Sequence, residues 1–166
     1  MLGKDAFLCF IDYKKAFDSV DRNLLLFKLS SINVSGHMYS AISSLYSNPK
    51  SRVILQDYST DYFDCPVGVK QGDCLSPTLF AIFINDLASE IKSIGVGVNL
   101  NIEGDEENSE ATMVNILLYA DDIVLFADNE VDLQSLLNIV NIWCQNWRLE
   151  VNLTKTNILH VRAKRR

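Results

Sequence analysis

The sequence has few of the residues that build nitrogen and sulfur metal centres. Its 166 residues include four cysteines and two histidines, at Cys9, Cys65, Cys74, Cys144, His37 and His160. None of the cysteines forms a Cys-x-x-Cys pair, and the histidines lie far apart. Because zinc sites and the disulfide frameworks of small secreted proteins need regularly spaced ligands or cysteines, neither is expected. Cys9 and Cys144 lie in apolar runs and are predicted to belong to the core.

Long apolar runs are also missing. No segment reaches the roughly eighteen apolar residues of a membrane-spanning helix. The first ten residues, MLGKDAFLCF, lack the basic start and the small-residue cleavage site of a signal peptide. The sequence therefore predicts an intracellular protein without membrane contact, either nuclear or cytoplasmic.

Basic residues are outnumbered by acidic ones. There are 15 Lys and Arg against 21 Asp and Glu, which gives a net charge of −6. Free-standing nucleic-acid-binding domains usually carry a basic patch that neutralises phosphates. The only dense basic run is HVRAKRR at the carboxyl end, which we interpret as a solvated terminus. By itself, the chain is not expected to be such a binder.

The apolar pattern predicts one α+β domain over residues 1–166. Apolar runs predict a strand in DAFLCFID, a strand pair in SRVILQ and YFDCPVGV, and a further strand or hairpin in LEVNLTKTNILHV. Apolar residues with helical spacing also predict three helices. The first follows Asp21 as its N-cap, the second lies in GHMYSAISSLYSN, and the third starts at Ser76 with Pro77 as its first helical residue. The expected architecture is a small, mostly antiparallel sheet packed against helices.

The last helix is predicted from about Glu130 to Trp147. Its apolar residues are expected to face mostly inward; they are Leu133, Leu136, Leu137, Val140, Ile142 and Trp143. An acidic loop from Gly104 to Glu110 lacks the regular ligand spacing of a calcium loop. We interpret this loop as solvated.

Two adjacent aspartates interrupt an otherwise apolar hairpin, VNILLYADDIVLFADN. Asp121 and Asp122 would lie at its tip, where two neighbouring carboxylates repel each other unless a cation compensates them. An ordinary turn explains this segment equally well, because Asp is a good turn former. Asp12 ends one apolar strand and Asp121 ends another, and if these strands are neighbours in one sheet, three carboxylates meet at one edge. Such an all-oxygen site suits Mg²⁺ and two-metal phosphoryl transfer.

Four segments resemble, in order, the palm motifs of reverse transcriptases. They are FIDYKKAFDSV, GVKQGDCLSPTLFAIFINDL, LLYADDIVLFA and LEVNLTKTNILH, and they are spread over nearly the whole chain, from residue 10 to residue 160. The AFDSV ending, the long SPTLFAIFINDL and the N-x-x-K-T close favour the LINE-type (non-LTR) retrotransposon branch. The resemblance implies a polymerase palm and RNA-directed DNA polymerase activity, with nucleotide transfer from a dNTP to a primer 3′-hydroxyl. The implied partners are an RNA template, a DNA primer and dNTP; the oligomeric state stays open.

The resemblance also assigns the aspartates. It makes Asp12 and Asp121 the principal ligands of two Mg²⁺ ions, for which Mn²⁺ is the alternative, and makes Asp122 a supporting ligand. The backbone carbonyl of Tyr13 would help to hold the metal on the nucleotide side. Lys155 matches the lysine proposed to protonate departing pyrophosphate. A solvated strand lysine is the structural alternative for Lys155.

Three further residues match the nucleotide-contacting positions of the family. Phe17 occupies the place of an aromatic wall under the incoming sugar, which would exclude a 2′-hydroxyl by crowding. Gln71 and Gly72 match the segment that contacts the nucleotide and the template backbone. The structural alternative is a core position for Phe17 and a turn position for Gln71.

The resemblance stops at both ends of the chain. Only eleven residues precede Asp12, and the sequence ends soon after Lys155, so we expect most of the fingers and the thumb to be missing and the isolated chain to have little activity. One alternative is a non-catalytic remnant of the fold that serves as a binding or structural module. The other is a Mg²⁺-dependent phosphohydrolase or cyclase with a palm-like site, which the polymerase motifs disfavour.

Overall fold

The computed structural model describes residues 4–100 and 112–163, so the predicted acidic loop lies outside the described residues. The strands are β1 (Ala6–Ile11), β2 (Lys50–Ser51), β3 (Ile54–Leu55), β4 (Tyr58–Ser59), β5 (Phe63–Asp64), β6 (Val98–Leu100), β7 (Thr112–Val114), β8 (Ile116–Tyr119), β9 (Asp122–Ala127) and β10 (Asn157–Val161). The helices are α1 (Ala16–Ser19), α2 (Arg22–Ser31), α3 (Gly36–Tyr46), α4 (Ser76–Ser93) and α5 (Glu130–Trp147). Within the described ranges, no helix is long and apolar enough to cross a membrane.

The chain forms two compact units. One, called the sheet unit, comprises Met1–Ala16 and Ile84–Arg166, and the other, called the insert unit, comprises Phe17–Phe83. Mixed helices and small antiparallel sheets confirm the predicted α+β class. The extent of the predicted domain stays a prediction.

A four-stranded antiparallel sheet organises the sheet unit. Its strand order is β10-β1-β9-β8, and β1 pairs with β9 from Phe7 opposite Ala127 to Ile11 opposite Ile123. Alternate residues of these strands, such as Cys9 and Leu125, are buried, and α5 packs on β1 and β9. Because side chains alternate across a strand, one face of the sheet forms the core with this helix. The strands predicted in DAFLCFID and in the aspartate hairpin are confirmed.

Helix α5 has the bounds that its sequence predicts. Asn129 caps the first turn by accepting a hydrogen bond from the Asp132 amide at 2.9 Å, and Arg148 ends the helix in the left-handed conformation. The expectation that Ile142 faces inward is wrong, because this side chain is 55% exposed. A helix turns 100° per residue, and the buried stripe through Val140 and Trp143 leaves Ile142 on the outer face.

Two buried polar contacts fix helix α4 within the sheet unit. The indole Nε1 of the fully buried Trp143 donates to Asp86 Oδ1 at 3.0 Å. The buried Asn115 amide donates to the Ile91 carbonyl at 3.2 Å. Since a buried polar group without a partner is costly, these bonds specify which face of α4 lies against α5 and the sheet.

Helix α2 of the insert unit begins as predicted but buries an unexpected side chain. Asp21 caps it by accepting from the amides of Asn23 and Leu24 at 2.9 and 3.2 Å. Lys28 is buried, donates to the Phe83 carbonyl and lies 4.6 Å from the centre of the Phe83 ring. Phe27 is 63% exposed instead. Residue type alone would place the apolar Phe27 on the buried face of α2 and the charged Lys28 on its exposed face.

The predicted strand pair around residue 55 is shorter than expected. Two ladders of two residue pairs form here, β2 with β5 and β3 with β4, and all eight of these residues are exposed. The segment Val67–Val69 belongs to no strand. The amides of Gly68 and Val69 donate instead to the carbonyls of Val20 and Phe17, both at 2.8 Å.

Candidate active site

Two of the predicted catalytic aspartates end neighbouring strands. Asp12 follows Ile11, the last residue of β1, and Ile11 lies opposite Ile123 in the register with β9. Asp122 directly precedes Ile123 and is the first residue of β9. Directly opposite residues of an antiparallel pair share one face of the sheet. The register therefore places Asp12 and Asp122 at the same end and on the same face.

Asp121 lies in the turn of the hairpin and does not end a strand, which corrects the sequence-based expectation. Strand β8 ends at Tyr119, which pairs with Asp122, so Ala120 and Asp121 form a two-residue turn. Ala120 has a φ of 53°, a conformation that costs energy in any residue with a Cβ. Asp122 directly follows the turn, so the two adjacent aspartates lie at the tip of the hairpin, as predicted.

The three carboxylates are not gathered into one cluster. Among the described residues, no group of three or more His, Cys, Asp and Glu side chains is arranged to hold a metal ion. The side chains of Asp12, Asp121 and Asp122 therefore do not form the cluster that the sequence predicts. Like charges repel one another, and Asp12 instead contacts an amide and an ammonium group. The donor chemistry nevertheless fits Mg²⁺, because all three side chains offer only oxygen.

Asp12 contacts the segment that follows α5. The Asn152 amide Nδ2 donates to Asp12 Oδ2 at 3.0 Å, and Lys155 Nζ lies 3.7 Å from the same oxygen. The backbone amide of Asn152 donates to the Asp12 carbonyl at 2.7 Å, and the Asp12 amide donates to Thr156 Oγ1 at 3.4 Å. The predicted site residues Asp12 and Lys155 are thus neighbours. Sequence reasoning missed Asn152, although N-x-x-K-T already marked it.

Lys155 is held only loosely at this place. Its side chain is 70% exposed, whereas that of Asp12 is 31% exposed. An exposed ion pair of this kind contributes at most about 1 kcal/mol, because water and salt screen it. The ammonium group can therefore leave Asp12 at little cost.

Tyr13 lies directly beside Asp12 and contributes a buried side chain. Its hydroxyl lies 3.9 Å from the sulfur of Cys144, and its backbone forms a bridge with Val151. Burial raises the pKa of Tyr13, and the neighbouring Cys144 raises it further. Burial also raises the pKa of Cys144 to about 11. Both groups are therefore neutral at physiological pH, and the Tyr13 side chain anchors the strand end.

Phe17 and Gln71, both in the insert unit, occupy one neighbourhood. Phe17 is partly exposed on α1 and stacks on Phe80 with ring centres 4.7 Å apart. Gln71 Nε2 donates to Asp18 Oδ1 at 2.9 Å, and the Val69 amide donates to the Phe17 carbonyl at 2.8 Å. The structure therefore brings these two predicted nucleotide-contacting residues together. Gln71 also lines a cavity of about 660 Å³, together with Asp18.

Arg22 fastens the loop that leads to Gln71, and sequence reasoning missed it. Its guanidinium donates to the carbonyls of Cys65, Val67 and Gly68, the latter two at 2.9 and 2.8 Å. Desolvation lowers the pKa of Arg22. Gly72 lies beyond Gln71 with a φ of 82°, a conformation that favours glycine, and no atom would contact a Cβ there.

Comparison with known proteins decides the family. A model of the family described as reverse transcriptase (RNA-dependent DNA polymerase) matches residues 2–165. This chain belongs to the reverse transcriptase family. The order of motifs that the sequence presents is therefore explained by common ancestry, and the resemblance on which the sequence analysis rests is confirmed.

The curated relatives of this reverse transcriptase chain come from non-LTR retrotransposons. The Pol polyprotein of the type-1 retrotransposable element R2 from Popillia japonica is 27% identical over 135 residues, which are 81% of this chain and 21% of the relative. The RNA-directed DNA polymerase of the mobile element jockey from Drosophila funebris is 29% identical over 153 residues, 89% of this chain and 15% of the relative. The chain thus spans about a fifth or less of these relatives.

Solved structures support the same fold. Apo telomerase from Candida tropicalis, truncated of its C-terminal domain, superposes with a TM-score of 0.67 at 17% identity. The match covers 99% of this chain and 32% of the telomerase chain. Telomerase from Candida albicans, in complex with a fragment of telomeric RNA, gives a TM-score of 0.56 at 13% identity and covers 93% of this chain and 27% of the telomerase chain. At these identities the likeness shows the fold alone.

Proposed function

We propose that this chain supplies the palm of an RNA-directed DNA polymerase that extends a DNA primer on an RNA template. The observation that carries the proposal is the pairing of β1 with β9, which sets Asp12 beside Asp122 and next to the turn with Asp121. The family match over residues 2–165 and the relatives named RNA-directed DNA polymerases support it. Because the chain spans 21% and 15% of two of the curated relatives, the proposal concerns the palm alone.

The reaction joins a primer to a deoxynucleotide. The primer 3′-hydroxyl oxygen attacks the α-phosphorus of the dNTP, the bond from this phosphorus to the pyrophosphate leaving group breaks, and the hydroxyl proton passes to water. Two Mg²⁺ ions, or Mn²⁺, when held by Asp12, Asp121, Asp122 and the Tyr13 carbonyl, would supply charge neutralisation for the triphosphate. Lys155 gives a proton to the departing pyrophosphate. Because its contact with Asp12 is weak, the ammonium group can leave Asp12 and reach the pyrophosphate.

The insert unit would contact the nucleotide. Phe17 forms the wall beneath the sugar, and its stacking on Phe80 holds the ring in place. Gln71 and Gly72 contact the nucleotide and the template backbone, with Asp18 orienting the Gln71 amide.

Binding of Mg²⁺ tests the proposed site on the chain itself. Since a ligand that binds only the folded state stabilises it, Mg²⁺ at ten times its dissociation constant should add RT ln 11, about 1.4 kcal/mol. For a chain of this size the melting temperature should rise by roughly 3 to 6 °C. Asp121→Asn removes a charge with little change of shape and should respond much less. Differential scanning fluorimetry in EDTA and in Mg²⁺ measures both.

The matched control is Asp57→Asn, which neutralises an exposed aspartate in the β3–β4 turn. It should respond to Mg²⁺ like the parent. If the parent shows no response, or if Asp57→Asn loses the response as Asp121→Asn does, the chain forms no specific carboxylate metal site. A folded chain without that response would fit the alternative of a non-catalytic remnant.

Replacement of Phe17 tests the proposed sugar wall. In a polypeptide that joins this chain to the flanking regions of a curated relative, Phe17→Val should raise ribonucleotide relative to deoxynucleotide incorporation by roughly tenfold or more, because the shorter side chain makes room for the 2′-hydroxyl. Steady-state primer extension with each nucleotide gives the ratio. Phe27→Val, at an exposed position of α2, is the control. An unchanged ratio in a folded Phe17→Val variant would assign Phe17 to the core alone.

A further inference from the structure

Residues Asn152 to Thr156 surround Asp12 with hydrogen bonds at both its backbone and its side chain. The backbone amide of Asn152 donates to the Asp12 carbonyl, and the Asp12 amide donates to Thr156 Oγ1. The amides of Lys155 and Thr156 both donate back to the Asn152 carbonyl, at 3.1 and 2.9 Å. This turn is therefore closed on itself and fastened to the strand end at the same time, so its side chains have a defined place relative to Asp12.

The orientation of the Asn152 side chain is fixed by a second contact. Thr154 Oγ1 donates to Asn152 Oδ1 at 2.7 Å. An asparagine side chain has one accepting oxygen and one donating nitrogen, so occupation of the oxygen turns the nitrogen to the other side. The nitrogen then faces Asp12 and donates to Oδ2 at 3.0 Å. Thr154 and Asn152 thus form a short chain of bonds that ends on the carboxylate.

Both side-chain contacts of Asp12 reach the same carboxylate oxygen. Asn152 and Lys155 approach Oδ2, whereas Oδ1 receives no hydrogen bond from the described residues. Lys155 is mostly exposed and easily displaced, but Asn152 is half-buried and tied to the backbone. A neutral amide also adds no charge that would repel a cation. The lasting restraint on the carboxylate is therefore the bond from Asn152.

We propose that Asn152 is a positioning residue, which holds Asp12 by Oδ2 and so presents Oδ1 to the divalent cation. This inference rests on the proposed function, because it takes Asp12 as a metal ligand. Groups that hydrogen-bond a ligating side chain orient it, and their loss typically costs 10-fold to 100-fold in metal affinity. Asn152 thereby couples the segment after α5 to the metal site.

The test measures Mn²⁺ binding to the 166-residue chain through the electron paramagnetic resonance signal of the free ion. Specific binding is the part that Asp121→Asn abolishes. Asn152→Ala and Asn152→Leu should both raise the dissociation constant about tenfold, because both remove the donor and the second keeps the volume. Thr154→Val should raise the dissociation constant by a smaller factor, because without the Thr154 hydroxyl the side-chain amide of Asn152 can rotate. Asn138→Ala, an exposed asparagine on α5, should leave it unchanged.

The outcomes separate the possible failures. A parent chain without specific Mn²⁺ binding overturns the proposed metal site and the role of Asn152 together. A parent that binds, with the Asn152 and Thr154 variants within twofold of it, overturns the role of Asn152 alone. A purely structural role would lower the melting temperature of these variants without changing the dissociation constant. If Asn152→Ala does not fold, Thr154→Val decides, because it leaves every backbone bond of the turn in place.

Discussion

Asp12→Asn and Asp121→Asn are each expected to reduce primer extension by on the order of a thousandfold. Asparagine keeps the shape of the side chain but removes the negative charge that would hold a divalent cation against the triphosphate. The register of β1 with β9 places Asp12 and the hairpin tip at one end of the sheet, and each variant removes one of the two principal ligands proposed there. Extension of a DNA primer on an RNA template, by a polypeptide that joins this chain to the flanking regions of a relative, measures the loss.

The control for this loss is again Asp57→Asn, which should keep the parent activity because it lies exposed in the β3–β4 turn. Circular dichroism of each variant establishes that it is folded. If folded Asp12→Asn and Asp121→Asn polypeptides retained more than about a tenth of the parent rate, the aspartates would not be the metal ligands that the mechanism requires.

Gly68→Ala is expected to destabilise the fold by about 3 kcal/mol. Gly68 has a φ of 87°, which costs a residue with a Cβ about 1 to 2 kcal/mol. A Cβ there would lie 2.8 Å from the Asp18 carbonyl oxygen and 2.9 Å from the Asp18 Cα. These are backbone atoms that cannot rotate away, and overpacking of this kind costs another 1 to 3 kcal/mol. Urea unfolding of the parent and the variant gives the difference.

Gly36→Ala separates the cost of the positive φ from the cost of the close backbone contact. Gly36 has a φ of 61°, but no atom lies within 4 Å of the position of a Cβ. It should therefore show only the conformational cost of about 1 to 2 kcal/mol. Equal losses at the two positions would mean that the approach of Gly68 to Asp18 is not tight in solution. A larger loss at Gly68 would show that the loop bearing Gln71 depends on this contact.

Local signals in the sequence determined most of the helices and strands. The bounds of α5 follow from an apolar stripe of period 3.6, and Asp21 as a cap marks the start of α2. The hairpin with Asp121 and Asp122 at its tip follows from two apolar runs separated by polar residues. Capping and periodicity act between residues a few positions apart, so they can be predicted without knowledge of the fold. The order of four motifs also determined the family.

Only the tertiary structure decided which side chains meet. The burial of Lys28 rather than Phe27 depends on α4, which supplies the Phe83 carbonyl. The bond from Asn152 to Asp12 joins residues 140 positions apart, next to the end of β1, which pairs with β10. Contacts of this kind are set by strand register and by the packing of distant segments, and no local pattern encodes either. For the same reason the sequence supplied three aspartates, while the register decided that Asp12 and Asp122 lie at the same end of the sheet.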